Sequence, residues 1–83
     1  PSYLSSALDG PLGIAAAAHL VQALRTSPPA DSIAHGLATG SLFATELAAA
    51  GPNLSGGRLS VPDGPGLGVE LDERAVASVR LQL

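Results

Sequence analysis

Ser5-Ser6-Ala7-Leu8-Asp9-Gly10-Pro11-Leu12-Gly13-Ile14-Ala15-Ala16-Ala17-Ala18 passes from an extended segment, through a proline turn, into a helix. Tyr3-Leu4-Ser5-Ser6-Ala7 has the length of a short buried strand. Asp9-Gly10-Pro11 then turns the chain, with proline near the first helical position, where its missing N–H costs nothing. The spacing predicts a helix over 13–24. Ile14, Ala17, Ala18, Val21 and Leu24 recur at i, i+3, i+4 and i+7 and so share one face. Alanines 15–18 favour the helix and let a second element approach closely. Thr26-Ser27-Pro28-Pro29 ends it, because proline cannot continue a helix.

A second unit of the same kind follows. Ser32-Ile33-Ala34-His35-Gly36-Leu37 is a second short strand, Thr39-Gly40-Ser41 a turn, and 42–50 a second predicted helix, stopped by Gly51-Pro52. Two strands joined by one helix are normally parallel, with a right-handed crossover. The expected fold is therefore α/β, a βαβα piece taken from the end of a (β/α) barrel or from the edge of a doubly wound sheet. In both architectures chemistry collects at the C-terminal ends of the strands. Those ends are Ser5, Ser6, Ala7 and Leu8 in one strand, and His35, Gly36, Leu37, Ala38 and Thr39 in the other.

The division expected is 1–52 for these units and 53–83 for a tail. In the tail, 53–57 reads as a loop and Arg58-Leu59-Ser60-Val61-Pro62 as a short strand. Asp63-Gly64-Pro65-Gly66-Leu67-Gly68 is a turn segment whose glycines serve backbone geometry. Val69-Glu70-Leu71 is extended. Asp72 is an N-cap for a helix over 73–79, which has acids at its start and Arg80 at its end.

Composition narrows the function. A chain of 83 residues buries only about 60–65% of the surface it exposes when unfolded. Small domains usually add disulfides, a metal or a partner. There is no cysteine here, and two histidines, His19 and His35, are too few for a structural zinc site. One Tyr, one Phe and no Trp or Met leave the core without large anchors, so its apolar faces are expected to meet something outside this sequence. Net charge is −3, there is no lysine, and Arg25, Arg58, Arg74 and Arg80 are dispersed, which is no nucleic-acid footprint. No apolar run approaches the roughly twenty residues of a membrane span. A cysteine-free chain is compatible with the cytoplasm, the expected location.

Several residues have both a chemical and a structural reading. Ser5 and Ser6 can donate to a ligand carboxylate or cap the strand-to-turn junction. Asp9 can act as a base or metal ligand, but an Asp before Gly-Pro more often caps the helix. A catalytic His35 needs an orienting partner that the sequence does not supply, so it reads as a half-buried structural histidine. His19, on a helix flank, reads as solvated or at an interface. Gly66-Leu67-Gly68 lacks the G-K-[ST] of a phosphate loop. Glu46, Glu70 and Glu73 read as surface residues. Gly13 and Ala17 read as packing positions.

Three blocks, in order, resemble the muconate-lactonizing branch of the enolase superfamily and, within it, the o-succinylbenzoate synthases. Residues 5–16 resemble the seventh-strand block: a serine pair, an acid, then Leu-Gly-Ile opening an Ala-rich helix. Ala34-His35-Gly36-Leu37-Ala38-Thr39 resembles the eighth-strand block, commonly Gly-Leu-Gly-Thr, with Ala38 at the second glycine. Val61-Pro62-Asp63-Gly64-Pro65-Gly66-Leu67-Gly68-Val69 resembles the superfamily's C-terminal tail.

The resemblance implies a TIM-like (β/α)7β barrel with a separate capping domain toward which the tail returns. This chain would be the C-terminal segment, partnered by the rest of the barrel and the cap. It implies Mg²⁺ and acid–base lysines, all carried by earlier strands, with no catalytic or metal residue in this segment, which alone is expected to be inactive. The implied reaction is proton abstraction beside a carboxylate followed by loss of water, on a small dicarboxylate, in menaquinone biosynthesis. The residues carried over as substrate-binding are Ser5, Ser6 and Gly36, the last through a backbone that approaches the substrate. An N-acylamino-acid racemase can share such a pocket and is the alternative. A dipeptide epimerase is disfavoured, because Gly36-Leu37-Ala38 holds no acid. A mandelate racemase-like member would need a histidine near Ser5-Ser6. From another class, a small non-catalytic docking module would also suit the thin core.

Overall fold

In the computed structural model, residues 3–24 and 34–81 are described. Helix α1 runs Pro11–Ala23, with proline in its first turn. Its buried stripe is Ile14, Ala15, Ala18 and Val21. Ile14, Ala18 and Val21 cluster with Leu37, and Leu4, Ala17, Leu59 and Val61 pack around them half-buried. The predicted face is thus the one that is used, except at Leu24, which leaves the helix as its C-cap and is exposed. The small side chain of Ala18, 2% exposed, suits this close contact, and Ala15 is also buried.

The two strand segments meet through one parallel bridge, Ser5 to Gly36. The Gly36 N–H donates to the Leu4 carbonyl (2.8 Å), and the Ser6 N–H donates to the Gly36 carbonyl (2.8 Å). This is the parallel arrangement that a βα crossover demands. The expected helix stop at Thr26-Ser27-Pro28-Pro29, and Ser32-Ile33 of the second strand, lie outside the described residues.

Residues 42–50 do not form the expected helix. Thr39–Leu42 is a single 3₁₀ turn, and Ala48–Ala50 is strand β1. β1 pairs antiparallel with β4 (Glu70–Leu71), setting Ala48 opposite Leu71 and Ala50 opposite Glu70, with a register irregularity between them. The Asp72 N–H donates to the Leu47 carbonyl (2.8 Å) and prolongs the contact. Alanine's helix preference is worth only tenths of a kcal/mol over most residues, and an isolated helix of this length is marginal. Backbone partners supplied from about twenty residues further along the chain outweigh that preference.

The expected loop at 53–57 is half of a hairpin. β2 (Asn53–Ser55) pairs with β3 (Arg58–Ser60) across Gly56-Gly57. Both glycines have positive φ, 58° and 75°, as a two-residue type I′ turn requires. Helix α2 (Glu73–Val79) is capped as expected: one Asp72 carboxylate oxygen accepts from the Arg74 and Ala75 N–H groups, both at 3.1 Å. Arg80 is the C-cap residue.

The buried hydrophobic residues are Ile14, Ala15, Ala18, Val21 and Leu37, and no polar side chain is buried among the described residues. Tyr3, Leu8, Leu42 and Leu81 stand more than two-thirds exposed. No helix among the described residues is long and apolar enough to cross a membrane.

Two stability predictions follow from this packing. Ala18→Leu should overpack the α1 face and cost about 1–3 kcal/mol, read as a lower denaturation midpoint of the complete protein. Gly68 has φ 72°, and a Cβ there would stand 2.6 Å from the Pro62 Cβ, whereas one at Gly56 would meet nothing within 4 Å. Gly68→Ala should therefore lower the midpoint clearly more than Gly56→Ala, which carries only the left-handed backbone cost of about 1–2 kcal/mol. Equal midpoints would refute the clash.

Candidate functional site

Strand alternation sorts the side chains at the bridge. Leu4 and Leu37 turn toward α1, where both join the core. Successive residues point to opposite faces, so Ser5 and Gly36 lie on the face away from α1. They sit very close there: a Cβ on Gly36 would stand 3.0 Å from the Ser5 Cβ. The Ser5 hydroxyl has no hydrogen-bond partner among the described residues, and the residue is exposed.

Ser6 has a different environment. Its hydroxyl donates to the Gly36 carbonyl (3.2 Å) and contacts Thr39 Oγ1 at 2.6 Å. The serine pair is thus divided, with Ser6 committed to the neighbouring strand end and Ser5 available. Gly36 is engaged on both sides of the bridge. Its N–H is taken by Leu4, so it is not a free donor for a ligand, and the absent side chain is required first by the contact with Ser5. Thr39 is the residue whose part was not foreseen. The signal for it was a hydroxyl at the end of the second strand, level with Ser6 at the end of the first.

The other candidates are structural. The Leu4 N–H donates to His35 Nδ1 (3.1 Å), so the half-buried imidazole braces the first strand segment. The Asp9 carboxylate accepts from the Ala7 N–H (3.1 Å) and closes the turn before α1. It does not cap that helix: Gly10 is the N-cap, without a side-chain bond. The described hydrogen bond of the Asp9 carboxylate is to the turn, not to the helix N-terminus. Asp9 also bears on Gly13, where a Cβ would approach the Asp9 Cβ to 3.1 Å, so Gly13 serves this turn rather than the sheet. The His19 Nε2–H donates to the Leu67 carbonyl (3.0 Å), tying the glycine-rich tail to α1. Glu46, Glu70 and Glu73 are exposed.

A cleft of about 920 Å³ lies elsewhere, between the start of α1 and residues 38–53, with Ile14, Leu37 and Phe43 in its wall. Among the described residues, Asp9 and Glu46 are the titratable side chains that line it, and Ser5, Ser6 and Gly36 are not part of it. Among the described residues no three His, Asp or Glu side chains group to hold a metal ion.

A family model described as enolase C-terminal domain-like matches residues 2–75. The chain belongs to that family. Its fold is α/β, and membership makes it part of an enzyme of the enolase superfamily, whose members are generally lyases or racemases and generally use Mg²⁺. Such a domain packs with an N-terminal domain, consistent with the exposed leucines and thin core found here. No curated protein and no solved structure matches the chain.

The bridge generates a prediction of its own. Gly36→Ala must push Ser5 away by a few tenths of an ångström, because 3.0 Å is far inside normal carbon–carbon contact. In the complete protein, Gly36→Ala should lower stability by about 1–3 kcal/mol, and Gly36→Val by more. Unchanged melting of both variants would show that the strand ends are not held at this distance.

Proposed function

We propose that this chain is the C-terminal part of an o-succinylbenzoate synthase, a Mg²⁺-dependent dehydratase of menaquinone biosynthesis working in the cytoplasm. Family membership supports the superfamily chemistry, and the order of the three sequence blocks supports the synthase within it. The reaction removes a proton next to a carboxylate and then expels water. In this reading the acid–base lysines and metal ligands come from strands that precede these residues, and this segment contributes substrate binding.

The observation that carries the reading is the Ser5 hydroxyl, unpartnered among the described residues, beside the side-chain-free Gly36 on the face away from α1. A carboxylate needs hydrogen-bond donors, and a serine O–H with no internal partner is one. Gly36 adds no side chain to that surface, and Ser5 packs directly against it. Ser6 stands behind them, its own proton engaged with the Gly36 carbonyl. Together these give a small, uncharged contact surface suited to one end of a dicarboxylate.

The test uses the complete protein with Mg²⁺ and the synthase substrate, following o-succinylbenzoate formation. A hydrogen bond to a charged group is worth about 1.5–3 kcal/mol, so Ser5→Ala should lower kcat/KM roughly 10- to 150-fold with melting little altered. Racemisation of N-acylamino acids without dehydration would move the assignment to the racemase. Wild-type kinetics in Ser5→Ala would remove Ser5 from the pocket.

A further inference from the structure

We infer that Ser6 and Thr39 form a positioning pair that sets the distance between the two strand ends, and through it the geometry of the Ser5–Gly36 contact surface. The inference rests on the substrate-binding reading above for its effect on turnover, but the pair itself is defined by hydrogen bonds.

Counting protons orients those bonds. A serine hydroxyl has one proton and two lone pairs. The Ser6 hydroxyl donates to the Gly36 carbonyl, which can only accept. The 2.6 Å contact is then the Thr39 hydroxyl donating to Ser6 Oγ. The result is a directed chain from Thr39 to Ser6 to Gly36, in which one residue of the first strand end, Ser6, spans two positions of the second. The Gly36 carbonyl receives Ser6 twice, from its N–H at 2.8 Å and from its hydroxyl at 3.2 Å.

The location gives the chain its leverage. Beside these hydrogen bonds, the two strand segments meet at the Ser5–Gly36 bridge and at the His35 contact with Leu4. Thr39 begins the 3₁₀ turn Thr39–Leu42, so its hydroxyl ties the start of that turn to the first strand end. Ser41 closes the same turn on itself, its N–H and hydroxyl both donating to the Ala38 carbonyl at 3.2 and 2.8 Å. Ser6 and Thr39 are both half-buried, which limits competition from water. Neither hydroxyl lies on the Ser5–Gly36 face, so the pair acts through the backbone and not by touching a ligand. Ser5 and Ser6, adjacent and chemically identical, thus have separate tasks: Ser5 contacts, Ser6 positions.

The experiment is a double-mutant cycle in the complete protein with Ser6→Ala, Thr39→Val and both together, plus Thr39→Ser as the conservative variant and Ser5→Ala as reference. Valine keeps the shape of threonine without its hydroxyl. Each single variant should raise KM by about 3- to 10-fold, the size of one neutral hydrogen bond, with kcat within about twofold. The double variant should be no worse than the worse single one, because the two side chains share one interaction. Thr39→Ser should restore KM. Independently of activity, Thr39→Val should accelerate amide hydrogen exchange across 34–42, and Thr39→Ser should not. Unchanged KM and exchange in Thr39→Val, with Ser5→Ala impaired, would overturn the pair and leave the functional reading standing. Multiplying effects in the cycle would also overturn it. Accelerated exchange without any dehydratase turnover would instead uphold the pair as a clamp and defeat the functional reading.

Discussion

The approach of Gly36 to Ser5 is the constraint on which the rest depends. A parallel bridge joins the two strand segments, and the bare Gly36 lets them meet without strain: a Cβ would sit 3.0 Å from that of Ser5 and force it to shift. The bridge brings Leu4 and Leu37 onto the same side, where α1 covers them. The opposite side is left to a hydroxyl and a bare backbone. An apolar packing face and a polar exposed face are thus separated within a few residues.

Alanine has the complementary role on the helix. Ala15 and Ala18 are almost wholly buried, yet each contributes little apolar area. They bring α1 near the strand ends at the expense of hydrophobic stabilisation, which scales with area removed from water. The core that results is small, and large apolar side chains such as Leu8 and Leu42 remain on the surface. An enolase-type C-terminal domain packed with an N-terminal domain has a use for such side chains. The tail is held by the His19 contact with Leu67, by the β1–β4 ladder and by Leu59 and Val61 packed on the core.

Chemical identity did not decide function among the candidates. The two serines are neighbours, but pairing with Thr39 and Gly36 occupies one and leaves the other open. Asp9, His19 and His35 all carry groups that catalysis uses elsewhere, and each is engaged with backbone instead: Ala7, Leu67 and Leu4 respectively. Titratable side chains at turns and helix flanks commonly satisfy nearby backbone groups, and here they brace the elements that carry Ser5 and Gly36.

What the sequence by itself determined is what local physics controls. Pro11 and the apolar spacing from Ile14 to Val21 place α1, Asp72 caps α2 over the predicted residues, and Gly66 and Gly68 mark backbone that only glycine adopts freely. The order of its motifs was enough to indicate the family. Only the tertiary structure decided the state of Ala48–Ala50, the conversion of Asn53–Ser55 from loop to hairpin strand, and the hydrogen bonding of the Ser6 hydroxyl. The reason is common to all three. Each depends on a partner for a hydrogen-bonding group, and for β1 and Ser6 that partner lies about twenty to thirty residues away in the chain. Helix propensity, capping and turn geometry act within a few residues, whereas a strand or a hydroxyl takes its role from whatever the fold brings beside it.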